Sequence, residues 1–498
     1  MNAYRTLKDR FHRLGVISDA IGILDWDCAT TMPEGGADGR AEQIATLRVL
    51  SHELLTDPTT TEMLAVMAQD TSDWRTDPWV EANLREMQRL HLHATAVPME
   101  LVEAISKASA TCEMGWRVAR PMSDFAALLP SLTEVVSLVR EMGVAKGTVL
   151  GLDPYDALLD AHEPGTRTRY LDNMFSELKE FLGVKLPLVL ERQNERPPVV
   201  IPEGPFSESK QRALGEYFMG VAGFDFTRGR LDVSHHPFCG GATDDVRITT
   251  RYDENNFTSA IMGVMHETGH AMYELGLPRA WRYQPVGMAR GMAVHESQSL
   301  LIEMQACRSW EFVQFAAGHI RNAFNGTGVA WEPENLYHLY TAVEPGFIRV
   351  DADEVTYPAH IILRYQLERA LISGDLAPVD LPGAWNDGMR NLLNIVPPDD
   401  RRGCLQDIHW PSGEFGYFPT YTLGALAAAQ FFAAAKRDRP EIPVALEEGN
   451  FSPLMGWLGE HVHAKAALLS FDELLSSATG CTLDRTQFET HIEMRYLA

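Results

Sequence analysis

The sequence predicts a mainly α-helical protein with one small antiparallel β-sheet. Three observations predict it. Apolar residues recur at the 3.6-residue helical period over long stretches, strand-like alternation is confined to one short segment, and Pro/Gly clusters punctuate the remainder. At 498 residues with 45% hydrophobic content, the chain has ample apolar material for a large buried core. Length alone allows two or three ordinary domains or one large helical body.

Taken in order, helical periodicity is clearest around Leu84–Leu92, Leu129–Met142, Thr168–Leu182, Ala359–Ile372 and Leu423–Ala435. Turns are expected at Met32-Pro33-Glu34-Gly35-Gly36, from Arg196-Pro197-Pro198 to Pro205, and at Val396-Pro397-Pro398. The middle cluster divides a front helical half, about 1–196, from a second half, about 206–498, within one domain spanning 1–498. Between about Leu231 and Tyr252, Val246, Ile248 and Thr250 alternate with polar residues, as a half-buried strand requires. No internal repeat or low-complexity tract interrupts this pattern.

Just after the strand-like text comes His266-Glu267-Thr268-Gly269-His270. Residues four apart share one helix face, so His266 and His270 can offer two imidazole nitrogens to one metal ion. Glu267 falls to the side, where it could take a proton from a metal-activated water. The helix borders are legible independently. Asn256-Phe257-Thr258-Ser259 supplies capping residues before an apolar-periodic run through Ile261, Met262, Met265, Met272 and Tyr273, and Gly276 and Pro278 follow in stop order. Gly269 inside the helix costs about 1 kcal/mol relative to Ala. Close approach of another element, or of a ligand, would compensate.

A catalytic zinc needs a third protein ligand and one open position. Glu296 lies 26 positions after His270, enough chain to cross a loop containing Pro278 and Pro285 and return antiparallel. It sits in Gly291-Met292-Ala293-Val294-His295-Glu296-Ser297-Gln298-Ser299-Leu300, which continues as an amphipathic helix toward Cys307. His295 is the alternative third ligand, but it points about 100° away from Glu296 around the helix. Glu296 is preferred.

Six motifs in order carry a family resemblance: His236-Pro237-Phe238, Asp245-Val246-Arg247-Ile248-Thr249, the His266–His270 pattern, His295-Glu296-Ser297-Gln298, Ile348-Arg349-Val350-Asp351-Ala352-Asp353, and Gly403-Cys404-Leu405-Gln406-Asp407-Ile408-His409-Trp410. With them the chain resembles the carboxypeptidase Taq family over most of its length. The resemblance implies a helical fold related to neurolysin and angiotensin-converting enzyme, with a deep central cleft. It also implies a zinc- or cobalt-dependent metallocarboxypeptidase, a homodimer, and broad side-chain preference with poor cleavage before a C-terminal Pro. The metal and base positions match the family pattern.

The remaining roles follow from what such chemistry needs. A free C-terminal carboxylate calls for a guanidinium fork, and Arg349 is the first choice, with Arg247 and Arg364 as rivals. The tetrahedral oxyanion needs donors besides the metal, a task suited to His409 with Tyr417 or Tyr421. His236, fixed in extended conformation by Pro237, is expected to line the cleft or bind substrate backbone. The position one turn beyond Glu296, where many such peptidases carry an Asp that orients a ligating His, is Leu300. Ser297, Gln298, Ser299 or a distant carboxylate such as Asp353 would then orient the imidazoles.

Composition excludes several classes. A net charge of −25 argues against nucleic-acid or anionic-membrane partners. Cys28, Cys112, Cys239, Cys307, Cys404 and Cys481 are scattered, and read as buried thiols of a reducing, cytoplasmic compartment. The N-terminal residues lack a signal-peptide layout, and the apolar run from Thr422 to Ala435 is too short to span a bilayer. Two rivals to a carboxypeptidase acting on peptide substrates remain: a zinc endo-oligopeptidase using the same site, and a helical scaffold holding a structural metal. The lack of a Cys near the two histidines counts against the second.

Overall fold

The computed structural model describes residues 2–69 and 76–498. It is mainly helical with a single three-stranded sheet among those residues. The five strongest helical periodicities all become helices: Pro78–Thr95, Phe125–Leu150, Thr168–Asn194, Tyr357–Ser373 and Pro419–Asp438. Each extends a few residues beyond its apolar run, because a helix continues until a cap or breaker stops it. Gly151 and Gly374, both at positive φ, stop the second and fourth.

Chain order and compact units differ. One unit comprises Met1–Ala94, Pro198–Thr341 and Gly424–Leu483; the other comprises Thr95–Pro197, Ala342–Leu423 and Asp484–Ala498. The chain passes from the second unit into the first at Pro197–Pro198, inside the Pro-rich cluster.

In the first unit, strands β1 (Gly229–Val233), β2 (Phe238–Ala242) and β3 (Asp245–Thr250) lie in the order β1-β3-β2. The sheet is mixed rather than wholly antiparallel: β2 and β3 form an antiparallel hairpin, while β1 and β3 run parallel. Successive strands reverse direction, so inserting the third between the first two makes it antiparallel to one and parallel to the other. Leu231, Val246 and Ile248 turn inward against Val264 and Ala271 of the helix Phe257–Gly276. The sheet thus forms a floor for the helix that carries both histidines. The six cysteines are free; Cys112, Cys307 and Cys404 are buried, but Cys28 and Cys481 are exposed, so burial does not explain every thiol.

In the second unit the C-terminal helix Thr486–Tyr496 is tied down by Glu354. This carboxylate is 5% exposed and accepts hydrogen bonds from Arg495 Nη1 at 2.8 Å, His491 Nε2 at 2.9 Å and Tyr496 Oη at 2.7 Å. Burial works against its charge, but the charges of Arg495 and His491 outweigh that and hold its pKa far below the ordinary 4.5. A depressed carboxylate stabilises the fold fully above its unfolded pKa, and that contribution is lost as pH falls toward the folded value. Glu354→Gln should therefore cost about 3–5 kcal/mol at neutral pH, seen as a lower Tm. The gap in Tm between the two proteins should stay constant above pH of about 5 and narrow below it. A gap independent of pH would show that the charge on Glu354 does not hold this helix.

Candidate metal centre

The helix Phe257–Gly276 begins at Asn256, whose side chain accepts from Thr258 N, and ends before Leu277, as its capping pattern predicts. It presents His266 and His270 one turn apart, with ring centroids 5.0 Å apart. After two short 3₁₀ turns, the helix Gly291–Leu300 returns against it. Gly269 is where they meet. A Cβ on Gly269 would lie 2.5 Å from Gln298 O and 2.6 Å from Ser299 Cα, so only glycine admits this approach. The expected compensation for a mid-helix glycine is therefore a packed second helix.

That approach brings Glu296 to the histidines. Glu296 Oε2 lies 3.5 Å from His270 Nε2 and 4.0 Å from His266 Nε2, and the donor atoms of all three lie within 4.8 Å of one another. Tetrahedral donors about 2.0–2.1 Å from an ion stand roughly 3.4 Å apart, so the set fits a small divalent cation with little movement.

His295, the alternative third ligand, is engaged elsewhere. Its Nε2 lies 2.8 Å from Glu274 Oε1 and its Nδ1 lies 2.7 Å from His270 Nδ1. A carboxylate only accepts, so His295 Nε2 carries the proton, and its Nδ1 must accept from His270 Nδ1–H. The chain of bonds leaves the lone pair of His270 on Nε2, facing Glu296. His266 follows the same rule: Nδ1 donates to Glu303 Oε2 at 2.9 Å, freeing its Nε2. Glu303 in turn accepts from Arg308 Nη2 at 2.6 Å.

None of the residues expected to orient the imidazoles does so. Ser297 and Ser299 bond back to Val294 O and Glu296 O within their own helix, and Gln298 Oε1 lies 3.0 Å from His463 Nε2. Asp353 belongs to the other unit, where it accepts from Val355 N, Thr356 N and Glu344 N. The orienting groups are Glu303 and the His295–Glu274 pair. Beyond Leu300 the expected amphipathic helix widens into a π-helix over Leu301–Cys307, which contains Glu303. Sequence offered one signal for Glu303: it is seven residues, two turns, beyond Glu296.

The electrostatics match the geometry. Burial opposes charge on His266, but its hydrogen bond to Glu303 and the charges of Glu296, Glu267 and Glu303 raise its pKa to about 10. Burial pushes His270 down to about 4, helped by the nearby His295. Glu296 is held below the usual carboxylate range despite burial, by its bond to His270 and the charge of His266. Clustered acids thus draw positive charge to this point. Glu267, 7% exposed, is lifted to about 7 by burial, the charge of His266 opposing and that of Glu296 reinforcing.

The other motif residues divide between the units. Thr249 Oγ1 lies 3.4 Å from His236 O and accepts from Phe238 N at 3.0 Å, so the Asp245–Thr249 motif fastens the His236-Pro237-Phe238 link. Arg247 pairs with Asp245 at 2.7 Å and lies 4.0 Å over the Trp26 ring. In the second unit Arg349 does not pair with Asp351 or Asp353. It shares Asp407 with Arg364: Arg349 Nη2 sits 3.1 Å from Oδ1 and Arg364 Nη2 2.5 Å from Oδ2. Gln406 Oε1 accepts from Arg349 N and from Arg364 Nη2. Arg349 lies 4.8 Å over the Tyr421 ring, and Tyr421 Oη is 3.4 Å from His409 Nε2. The His409 ring is 5.7 Å from that of Tyr417. Burial lowers the pKa of His409 to about 4, Asp407 opposing and the two arginines reinforcing, so its imidazole is neutral at neutral pH.

The model of the carboxypeptidase Taq (M32) metallopeptidase family matches residues 6–496. The chain is 37% identical to thermostable carboxypeptidase 1 of Thermus thermophilus, over 100% of this chain and 98% of that protein. It is 35% identical to carboxypeptidase 1 of Bacillus subtilis, over 98% of this chain and 97% of that one. Among solved structures, Trypanosoma cruzi metallocarboxypeptidase 1 superposes with a TM-score of 0.97 at 39% identity, covering both chains completely.

Outer carboxylates of this kind tune metal affinity by fixing the ring that ligates. Glu303→Ala should weaken divalent-metal binding by about 10–100-fold, measured by competition with a chromogenic chelator. Ser299→Ala, which removes a bond internal to the helix, should leave that affinity within about threefold. Equal affinities for wild type and Glu303→Ala would remove Glu303 from the metal centre.

Proposed function

This chain belongs to the carboxypeptidase Taq (M32) metallopeptidase family, and from that premise we propose how its residues remove amino acids one at a time from the C-terminus of peptides. The observation that carries the reading is the convergence of His266, His270 and Glu296 beside Glu267. We take zinc as the native ion with cobalt tolerated, since two neutral imidazoles and one carboxylate are a common donor set for catalytic zinc. A divalent cation bound there supplies acidification of water to a pKa of about 7 and polarisation of a carbonyl.

Glu267 is the general base. A buried carboxyl beside the ion site can accept a proton from the attacking water and return it to the leaving amine. His409 and Tyr417 donate to the oxyanion, the neutral imidazole offering an N–H without an added charge, with Tyr421 supporting His409. His236 contacts substrate backbone.

Arg349 takes the terminal carboxylate. Asp407 balances only one of two buried guanidiniums, so the trio keeps a net positive charge where an anion would be welcome. Arg364 is 0% exposed and bonded to Asp407, Gln406 and His360 O, and Arg247 is paired with Asp245 over Trp26; Arg349, 7% exposed with Nε and Nη2 on Asp407, is our choice. Broad side-chain preference and assembly as a homodimer are inferred from the family. No helix among the described residues is long and apolar enough to cross a membrane, and scattered free cysteines support a cytoplasmic setting.

A peptide and its C-terminally amidated twin should differ strongly in kcat/KM, because only the former offers Arg349 a carboxylate. Equal cleavage would identify an endopeptidase instead. Glu267→Ala should retain its metal and lose about 10²–10⁴-fold in kcat. Chelation should abolish turnover, and zinc or cobalt should restore it. Persistent turnover in Glu267→Ala would assign the proton transfer to another group.

A further inference from the structure

Glu368 lies midway along the helix Tyr357–Ser373, is 0% exposed, and takes no part in the reaction as described above. Three neutral donors meet its carboxylate: Tyr155 Oη at 2.7 Å and Gly416 N at 3.1 Å reach Oε2, and Trp410 Nε1 reaches Oε1 at 2.9 Å. Two of these donors bracket one turn of chain. Trp410 opens it and Gly416 closes it, and the residues immediately outside are His409 and Tyr417.

The turn is pressed from the other side as well. Gly416 adopts φ +82°, and a Cβ there would stand 2.7 Å from Leu159 N of the helix Pro154–His162, which also carries Tyr155. The Tyr417 ring meets His162 of that helix edge-on at 5.1 Å. One turn before Glu368, Arg364 bonds Gln406 and Asp407. A single helix face therefore grips the Gln406–Tyr417 segment at four points and leaves the His409 side chain to project. Burial raises the Glu368 pKa to about 7 against the pull of its three donors and of Arg364, so the clamp is fully ionised only above that pH.

We propose that Glu368 is a positioning residue for hydrolysis, whose carboxylate clamps residues 410 and 416 and thereby sets His409 and Tyr417 for donation to the oxyanion. This rests on the roles assigned to those two residues under the proposed function. Only a carboxylate suits the place. Three donors need acceptors on both oxygens, and a glutamine of the same size turns one acceptor into a donor facing an N–H or O–H. Misplacement of catalytic groups by about 1 Å can cost on the order of 10²-fold in rate.

The test is a double-mutant cycle in steady-state kinetics with the metal-loaded enzyme. Glu368→Gln should lower kcat by about 10-fold or more with KM changed less than about threefold, and with metal content equal to wild type. In a Tyr417→Phe/His409→Gln background the same substitution should cost less than about threefold, because both groups it positions are already gone. Tyr155→Phe, which removes a donor of the same network outside the turn, should lower Tm yet leave kcat within about twofold. If Glu368→Gln does not fold, Trp410→Phe deletes one clamp bond and is judged by the same criteria. An unchanged kcat in Glu368→Gln, or full additivity with the Tyr417→Phe/His409→Gln pair, would overturn the proposal. Unchanged kcat in both Tyr417→Phe and His409→Gln would instead overturn the roles of those residues.

Discussion

The close contact between the helices Phe257–Gly276 and Gly291–Leu300 is the constraint on which the metal centre depends. Gly269 stands against the Gln298–Ser299 backbone, and any side chain there would push the helices apart. Glu296 sits on the second helix within 4.0 Å of both imidazoles carried by the first. A separation greater by the width of a methyl group would take its oxygens out of shared coordination with them. The sheet reinforces the contact from below, since Val264 and Ala271 are packed on Leu231, Val246 and Ile248. The cost of a glycine in mid-helix is thus offset by the geometry it permits.

Once the helices are close, hydrogen bonding decides which ring nitrogens turn toward Glu296. Glu303 and the His295–Glu274 pair each accept, directly or through a relay, from a ring Nδ1, so both lone pairs turn to the same point. The π-helical turn at Leu301–Cys307 belongs to this arrangement. Wider turns of this kind are rare and concentrate at functional sites, where they re-aim side chains that a regular helix would place elsewhere.

Each unit, taken by itself, carries a local imbalance of charge. In the first, Glu296 and Glu303 lie against His266 and His270, and burial disfavours a proton on His270, which leaves room for a cation. In the second, Arg349 and Arg364 outnumber Asp407, which favours an anion. Neutral His409, between the arginines and the tyrosines, adds donors without altering that balance.

Much of this was legible before folding. Helical and strand periods exposed the mainly α fold, its small sheet and the borders of the metal helix, because burial imposes those periods on any sequence. Spacing singled out His266, Glu267 and His270 as candidates, with Glu296 preferred to His295 beside them, and the fold brings His266, His270 and Glu296 together. Tertiary structure alone decided the partners. Glu303 and Glu274 as orienting groups, the parallel pairing of β1 with β3, the sharing of Asp407 by two arginines and the clasp of Glu368 on Trp410 and Gly416 join residues distant in the chain. The physical reason is that local sequence governs dihedral preferences and which face is apolar. Which polar groups finally satisfy one another is settled only when packed elements bring them within about 3 Å.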